Sequence, residues 1–137
     1  MKVLFVRSSN DGIDPVTENQ GKSLTGLGID VQYYNIRGRG LPGYLKNISG
    51  LRKQIRKTSP DLIHAHYALS GFLASISTAK LPVGVSLMGC DVNKKDSLIP
   101  YITRFFARHF WKFVIVKSAE MYKNLRNPGA VVLPNGV

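Results

Sequence analysis

The chain has 137 residues, 44% of them hydrophobic, which by length is one domain with enough apolar side chains to bury a core. This composition excludes a disordered chain, and the single Cys90 excludes an internal disulfide. Nineteen Lys and Arg against eight Asp and Glu give a formal charge of +11, which favours anionic partners such as nucleic acid, acidic lipid or phosphorylated ligands. The least polar stretch, 67–79, is too short for a membrane span, and the apolar run 3–6 is too short for a secretory signal.

Short apolar runs alternate with helical patterns along the whole chain. In order, they predict a strand at 2–7, a loop at 8–16, a helix at about 17–27, a strand at 29–36, a flexible basic loop at 37–43, a helix at about 44–58, a strand at 62–67, a helix at about 68–78, a strand at 83–87, a polar loop at 92–96, a helix at about 98–112, a strand at 113–116, a helix at 119–126 and a strand at 131–133. Thr17 is the expected cap of the first helix, Gly28 its stop, and Asp96 or Ser97 the cap of the helix near 98. This alternation predicts an α/β fold, a Rossmann-like doubly wound parallel sheet of about six strands with helices on both faces.

Polar residues gather where the third and fourth predicted strands end. Because ligands of open α/β sheets bind at the carboxyl edge of the strands, we expect a site there. His66 lies near that edge and either contacts a ligand or packs, whereas His64 lies mid-strand and is expected to be structural. Asp91 ends the fourth strand region, where its carboxylate either accepts a hydrogen bond from a hydroxylated ligand or caps the next turn.

The glycine-rich motifs of nucleotide-binding proteins are absent. Gly21-Lys22-Ser23 lacks the glycine that a P-loop requires five residues earlier, and no G-x-G-x-x-G follows the first strand. The loop with Asn10 and Gly12 either approaches a phosphate or only connects two elements. No metal is expected, because the remaining potential ligands of His64 and His66 have unsuitable spacing.

Basic residues form two clusters on predicted helices. Between Asp30 and Asp61 there are seven basic residues and no acidic one, and a second row is accompanied by Tyr101 and Trp111. These clusters are either solvated faces or contacts with an anionic membrane, and nucleic acid ranks below lipid because no recognised binding module is present. The candidate anion-contacting residues are Arg52, Lys53, Arg56, Lys57, Arg104, Arg108 and Lys112.

Four segments, taken in order, resemble the N-terminal half of a retaining GT-B glycosyltransferase of family 4. They resemble that family's third strand, the fourth strand with its glycine-x-aspartate end, the next strand with its serine-led turn, and the segment that joins the two domains. The four are Pro60-Asp-Leu-Ile-His-Ala-His-Tyr67, Val85-Ser-Leu-Met-Gly-Cys-Asp91, Val114-Ile-Val-Lys-Ser-Ala-Glu120 and Val132-Leu-Pro-Asn-Gly-Val137. The chain departs from the family pattern at Met88, where relatives often carry a sugar-contacting histidine, and in the first loop, which has only Gly12 of a common glycine pair.

The resemblance implies one Rossmann-like acceptor-binding domain, 1–137, followed in the full protein by a C-terminal nucleotide-sugar domain that carries paired glutamates. It implies transfer of a hexosyl group from a nucleotide-sugar to a glycan or lipid-linked acceptor, with no metal or other cofactor, by a domain that is inactive alone. The expected location is the cytoplasm, with peripheral binding at the inner face of the membrane. The implied substrate-binding residues are His66, Ser70, Gly89, Ser118 and Glu120, with Asp91 as the catalytic candidate and Asn10 and Gly12 near the donor phosphates.

Two other functions remain open from the sequence. A sugar-nucleotide epimerase shares the GT-B architecture and also needs a second domain, but it lacks the paired glutamates. A non-catalytic module that binds nucleic acid or lipid would also account for the charge of +11.

Overall fold

The computed structural model describes residues 1–8, 12, 14–93 and 97–134. Strands and helices alternate along these ranges as the sequence predicts. In chain order they are β1 (Lys2–Ser8), α1 (Pro15–Gly26), β2 (Asp30–Ile36), α2 (Gly40–Leu45), α3 (Ile48–Thr58), β3 (Leu62–His66), α4 (Ala68–Ser77), β4 (Val83–Ser86), α5 (Cys90–Asn93), α6 (Ile99–His109), β5 (Phe113–Val116), α7 (Ala119–Leu125) and β6 (Val131–Val132).

The six strands form one parallel sheet in the order β2-β1-β3-β4-β5-β6. This confirms the predicted doubly wound α/β fold. The chain direction across the sheet reverses between β1 and β3, because β2 lies to one side of β1 and all later strands lie to the other. Such a reversal opens a crevice at the carboxyl ends of the two strands, which is where ligands of this fold class bind.

The two faces of the sheet are covered unequally. Leu4, Val6, Ile63, Ala65 and the equivalent residues of β4 and β5 form the main core with the helices from α2 onward. Right-handed crossovers place these helices on one face, because β3 to β6 are added in one direction. The first crossover runs the other way, so α1 packs on the opposite face.

The start of α1 differs from the prediction. Asp14 is its N-cap, and the Asp14 carboxylate accepts a hydrogen bond from the Val16 backbone N–H at 3.2 Å. Thr17 was the wrong cap: it lies inside the helix, is buried, and its hydroxyl donates to the Asp14 carbonyl. Pro15 explains the shift, since proline is favoured in the first turn, where its missing N–H has no partner to lose. Gly28 follows the helix with φ +87°, as a C-terminal stop requires.

The segment 37–58 differs as well. The predicted flexible loop and single helix are instead two helices, α2 and α3, with a break at Asn47. The Asn47 side chain donates to the carbonyls of Arg37 and Gly43 at 2.9 and 2.8 Å and accepts from the Tyr34 hydroxyl. These bonds hold the two helices at a fixed bend, so the break follows from a polar side chain that competes with the helix backbone.

In α6, only part of the predicted apolar face meets the core. Its buried residues are Pro100, Thr103 and Ala107, and Ile99 and Phe106 pack partly against the core. Tyr101, Ile102 and Phe105 are exposed. Trp111, expected near the basic row, is instead buried and donates to the Ser75 hydroxyl at 3.0 Å. Val92 and Asn93, predicted to begin a polar loop, instead belong to α5. Asp96 lies outside the described residues, and the Ser97 hydroxyl accepts from the Ile99 N–H.

No helix in the described ranges is both long and apolar enough to span a bilayer.

Candidate functional site

The crevice between β1 and β3 is bordered by charged and aromatic side chains. Arg7 ends β1, is 4% exposed, and is fixed by an ion pair with Glu18 at 2.8 Å. Its guanidinium also donates to Asn35 and Thr17 and lies 4.3 Å from the centre of the Tyr33 ring. With each of these partners in place, Arg7 joins α1, β1 and β2 at the reversal of the sheet. Its charge is therefore held in position before any ligand arrives.

His64 and His66 share one face of β3 and stack at 4.5 Å between ring centres. The His64 Nε2 atom lies 2.8 Å from the Ser86 hydroxyl, so this nitrogen has a protein partner, as expected of a structural histidine. His66 is 3% exposed, and its Nε2 atom has no hydrogen-bond partner in the described part of the chain. A buried polar atom without a partner is rare enough to mark a position that a ligand or water completes.

Burial lowers the pKa of both histidines, so both rings are neutral near pH 7. For His64, burial and the charge of Lys117 lower the pKa to about 4. For His66, burial acts first, and the charges of His64, Lys117 and Arg7 lower the pKa further. Both rings are therefore able to accept a hydrogen bond at one nitrogen while donating at the other.

Asp91 connects the loops after β3 and β4. Its carboxylate is fully buried and accepts hydrogen bonds from the backbone N–H groups of Ala68, Met88 and Gly89 at 2.9–3.2 Å. Ala68 begins α4, so the negative charge also lies at the positive end of that helix. Burial raises the pKa of Asp91, and the backbone donors partly oppose that rise. This geometry makes Asp91 a positioning group for both loops, and its catalytic role stays a prediction.

Gly89 lies at the centre of the loop that Asp91 holds. Its backbone φ of +126° is one that residues other than glycine rarely adopt, and a Cβ built there would meet nothing within 4 Å. The backbone at Gly89 is therefore open to a neighbouring molecule. Met88, where the family resemblance predicts a histidine, is 38% exposed beside it. Tyr67, directly after β3, also has a positive φ of 86°, a strain that clusters at functional sites.

The other predicted contact residues fall at different depths. Ser70 is fully buried in α4 and its hydroxyl has no partner in the described ranges, so a ligand reaches it only if the loop moves. The Ser118 hydroxyl caps α7 by accepting from the Met121 N–H, and Glu120 is exposed in the first turn of that helix. Gly12 is exposed with φ +93°, and Asn10 lies outside the described residues. The roles of all five residues stay predictions.

Lys117 was missed by the sequence reasoning. It follows β5 at the same carboxyl edge, is half-buried, and has no ion pair within the described residues. Burial lowers its pKa, and the charge of Asp14 partly opposes this. The rule that singled out His66 and Asp91 also applies to the end of β5. Lys117 and Arg7, the two charged residues at strand ends, were therefore within reach of that rule.

The predicted anion-contacting residues occupy two helices. On α3, Lys53, Arg56 and Lys57 are exposed, and the guanidinium of Arg52 donates to the carbonyls of Ile76 and Ser77. On and after α6, Arg108 and Lys112 are exposed, whereas Arg104 is half-buried. Arg104 donates to the Asn124 carbonyl and lies over the Tyr101 ring. Five of the seven predicted cations are thus exposed and have no polar partner among the residues that the structure describes.

A cavity of about 700 Å³ lies over the sheet face that carries α1, with Val3, Leu62, Phe113 and Ile115 in its wall. Its lining is mainly apolar and extends toward the amino ends of the strands. His64 also lines it, whereas His66 and Asp91 do not. Within the described ranges, no three His, Cys, Asp or Glu residues are placed to hold a metal ion.

Comparison with known proteins places this geometry in a family. The family described as glycosyl transferase 4-like matches residues 5–118. No curated protein sequence matches the chain.

Solved structures share the fold at low sequence identity. A sucrose-phosphate synthase chain from Thermosynechococcus elongatus has a TM-score of 0.78 at 13% identity, over 100% of this chain and 90% of that one. UDP-GlcNAc 2-epimerase from Methanocaldococcus jannaschii, solved with UDP-GlcNAc and UDP, has a TM-score of 0.70 at 13% identity, over 98% and 47%. The glycosyltransferase SnogD from Streptomyces nogalater has a TM-score of 0.60 at 16% identity, over 100% and 52%.

The chain spans about half of most of these proteins, including 49% of a longer sucrose-phosphate synthase chain. These neighbours confirm a Rossmann-like sheet of the kind that forms one half of a GT-B fold. Because the family match covers most of the residues, the chain belongs to the glycosyl transferase 4-like family.

Proposed function

We propose that this chain is the acceptor-binding domain of a retaining glycosyltransferase, which moves a hexosyl group from a nucleotide-sugar to a glycan or lipid-linked acceptor. The family match supports the reaction class, and the crevice at the β1/β3 reversal supports the location. One observation carries the proposal. His66, a buried neutral histidine with an unpartnered Nε2, lies at the carboxyl edge where this fold binds ligands.

In this proposal the chain binds and orients rather than performs the chemical step alone. The half-buried Lys117, which has no ion pair within the described residues, supplies positive charge to the crevice, which suits a phosphate of the donor or of a phosphorylated acceptor. The charge of Arg7 is already balanced by Glu18. Asp91 fixes the loop on which Gly89 presents its open backbone to a sugar hydroxyl. Holding an acceptor in one orientation replaces a bimolecular encounter with an ordered one, which lowers the barrier.

The proposed C-terminal domain would complete the cleft. It would hold most of the nucleotide-sugar, and closing the two domains would exclude water from the sugar as the nucleoside diphosphate leaves. In this proposal the positive charge of Lys117 offsets the negative charge of the donor phosphates, so this half of the enzyme needs no metal.

The test is acceptor-dependent release of nucleoside diphosphate by the complete reading frame. The assay supplies UDP-glucose and UDP-GlcNAc, with and without a total lipid and glycan extract of the source cells. Lys117→Met keeps the length of the side chain and removes its charge, so we expect at least a tenfold lower rate with unchanged unfolding temperature. Lys123→Met, on α7, is the matched control and should keep the wild-type rate.

A second candidate has its own support. UDP-GlcNAc 2-epimerase shares the fold over 98% of this chain. The rival proposal is therefore that this chain is half of a sugar-nucleotide epimerase. Formation of the C2 epimer from UDP-GlcNAc without any acceptor would favour it. If neither donor gives nucleoside diphosphate release or epimerisation, the result would favour a non-catalytic binding module.

A further inference from the structure

Helix α6 exposes several large apolar side chains on one face. Leu98, immediately before the helix, is 73% exposed, Phe105 is 54% exposed, and Phe110, just after it, is 57% exposed. Tyr101 and Ile102 are 64% and 41% exposed. Ile99 and Phe106 pack partly against the core, so the exposed residues form a second apolar face that a surface helix of a globular protein normally lacks.

The exposed residues form one continuous stripe rather than scattered positions. Leu98, Tyr101, Ile102, Phe105 and His109 follow at i, i+3, i+4, i+7 and i+11, the spacing of a single helix face. The Phe105 ring contacts the rings of His109 and Phe110, with centres 4.8 and 5.9 Å apart. We call the residues Leu98, Tyr101, Ile102, Phe105 and Phe110 the α6 ridge.

The charged residues of the α6 segment itself are all basic. Between Ser97 and Ala119 the chain contains no Asp or Glu. Arg108 and Lys112 are exposed beside the ridge, and Arg104 lies against Tyr101 on the same side. An apolar helix face bordered by Arg and Lys is the arrangement of helices that lie in the headgroup region of an anionic bilayer.

Charge and shape favour a bilayer over the other possible occupants. A second copy of this chain would bring Arg108 and Lys112 against their own equivalents, and each copy carries a formal charge of +11. Duplex DNA would neutralise the cations but would leave the aliphatic side chains of Leu98 and Ile102 without an apolar partner. Acidic lipid supplies both an anionic surface and an apolar layer directly beneath it.

We propose that the α6 ridge docks this protein on anionic membrane, with Leu98, Ile102 and Phe105 inserted among the acyl chains and Arg108 and Lys112 on the headgroups. Arg108 and Lys112 are among the anion-contacting residues expected from the sequence, but Trp111 is buried, so the α6 ridge supplies the apolar contact in its place. The proposal does not depend on the sugar-transfer reaction. A protein that failed in the transfer assay would still be expected to bind vesicles.

The test is co-sedimentation of the chain with vesicles of roughly three parts phosphatidylcholine to one part phosphatidylglycerol. We expect binding to these vesicles, weaker binding to pure phosphatidylcholine, and weakening with salt. Phe105→Ala should lower the partition coefficient about tenfold and Leu98→Ala about fivefold, since each removes inserted apolar surface. Arg108→Gln should lower it about fivefold.

Two substitutions on the opposite face of the sheet are matched controls. Leu27 is 78% exposed at the end of α1, so Leu27→Ala removes the same chemical group as Leu98→Ala from an equally exposed position. Lys22→Gln on α1 removes the same charge as Arg108→Gln. Both controls should bind like the wild type, and thermal unfolding of every variant checks that the fold is intact.

Several results would overturn the proposal. Wild-type binding by Leu98→Ala and Phe105→Ala would mean that the ridge is not inserted, and equal binding to neutral vesicles would remove the role of the cations. Stronger binding to duplex DNA than to vesicles at equal salt would assign the surface to nucleic acid. Self-association that Phe105→Ala abolishes would assign it to a second copy of the chain.

Discussion

Replacing Asp91 tests whether this carboxylate holds the two loops at the crevice. Asp91→Ala would leave three backbone N–H groups, those of Ala68, Met88 and Gly89, without their buried acceptor. At about 1 kcal/mol or more for each unsatisfied donor, the loss is at least ~3 kcal/mol. The substitution also removes a buried negative charge, which is unfavourable in the folded state, and this offsets part of the lost stability. We therefore expect a net loss of about 2–3 kcal/mol in the free energy of unfolding.

The free energy of unfolding is measurable by urea denaturation followed by tryptophan fluorescence. Trp111 is the single tryptophan and is 7% exposed, so its emission reports loss of the core. Asp61→Ala is the matched control, because Asp61 is exposed and accepts only the Lys2 backbone N–H in the described chain. It should cost under ~1 kcal/mol. Equal costs for the two variants would refute the positioning role of Asp91.

The same residue makes a prediction about pH. Because burial raises the pKa of Asp91 in the folded state, its ionisation is less favourable there than in the unfolded chain. Its contribution to stability is therefore greatest below its unfolded pKa and falls as the pH rises through its folded pKa. Asp91→Asn should remove this fall, and a stability profile unchanged by that substitution would contradict the assigned cause.

Two further predictions concern the core. The lowered pKa of His64, about 4, means that its neutral form stabilises the fold fully above pH 6.5 and that this stability is lost as the pH falls toward 4, by roughly 3 kcal/mol. His64→Gln should remove this pH dependence from the free energy of unfolding measured by urea denaturation at a series of pH values. If substitution of the exposed His109 by Gln removes it equally, the assignment to His64 is refuted. A Cβ at Gly71 would come within 2.7 Å of the Trp111 ring, so Gly71→Ala should cost about 1–3 kcal/mol in urea unfolding. Gly26→Ala, with nothing within 4 Å, is its control and should be neutral or stabilising; equal effects would show that the contact is absent.

Much of the fold was predictable because each strand carries its own signal. The residues of β5, Phe113–Val116, form a short apolar run between polar segments, and the structure has the strand at the predicted positions. The alternation of such runs with helical patterns is enough to specify a parallel sheet with right-handed crossovers. The boundaries that failed, at Asp14 and Asn47, depend on single side-chain hydrogen bonds that periodicity does not encode.

The orientation of α6 could not be read from its sequence. A stripe with Ile102, Phe105 and Phe110 has the same spacing whether it faces the core or the solvent. Which face is buried depends on the space that the neighbouring elements leave beneath the helix. Phe72 and Trp111 already fill part of that space, where they pack against Phe106. Only the small residues Thr103 and Ala107 fit beneath the helix.

The candidate site was predictable in place but not in depth. The rule that ligands meet the carboxyl ends of strands located His66, Gly89 and Asp91. It gave no information on burial, because Asp91 satisfies backbone donors and His66 packs against the Phe5 ring at 4.7 Å. The role of a side chain at such an edge depends on partners that are distant in the sequence.

The proposed transfer reaction is tested most directly by following the sugar itself. Proton NMR of the complete protein with a UDP-sugar and the lipid and glycan extract reports the anomeric proton of donor and product in one sample. The proposed function predicts that the donor signal moves, only when the extract is present, into a product with the donor's anomeric configuration. A donor that stays unchanged with the extract, is epimerised without it, or gives the opposite anomer would contradict a retaining glycosyltransferase.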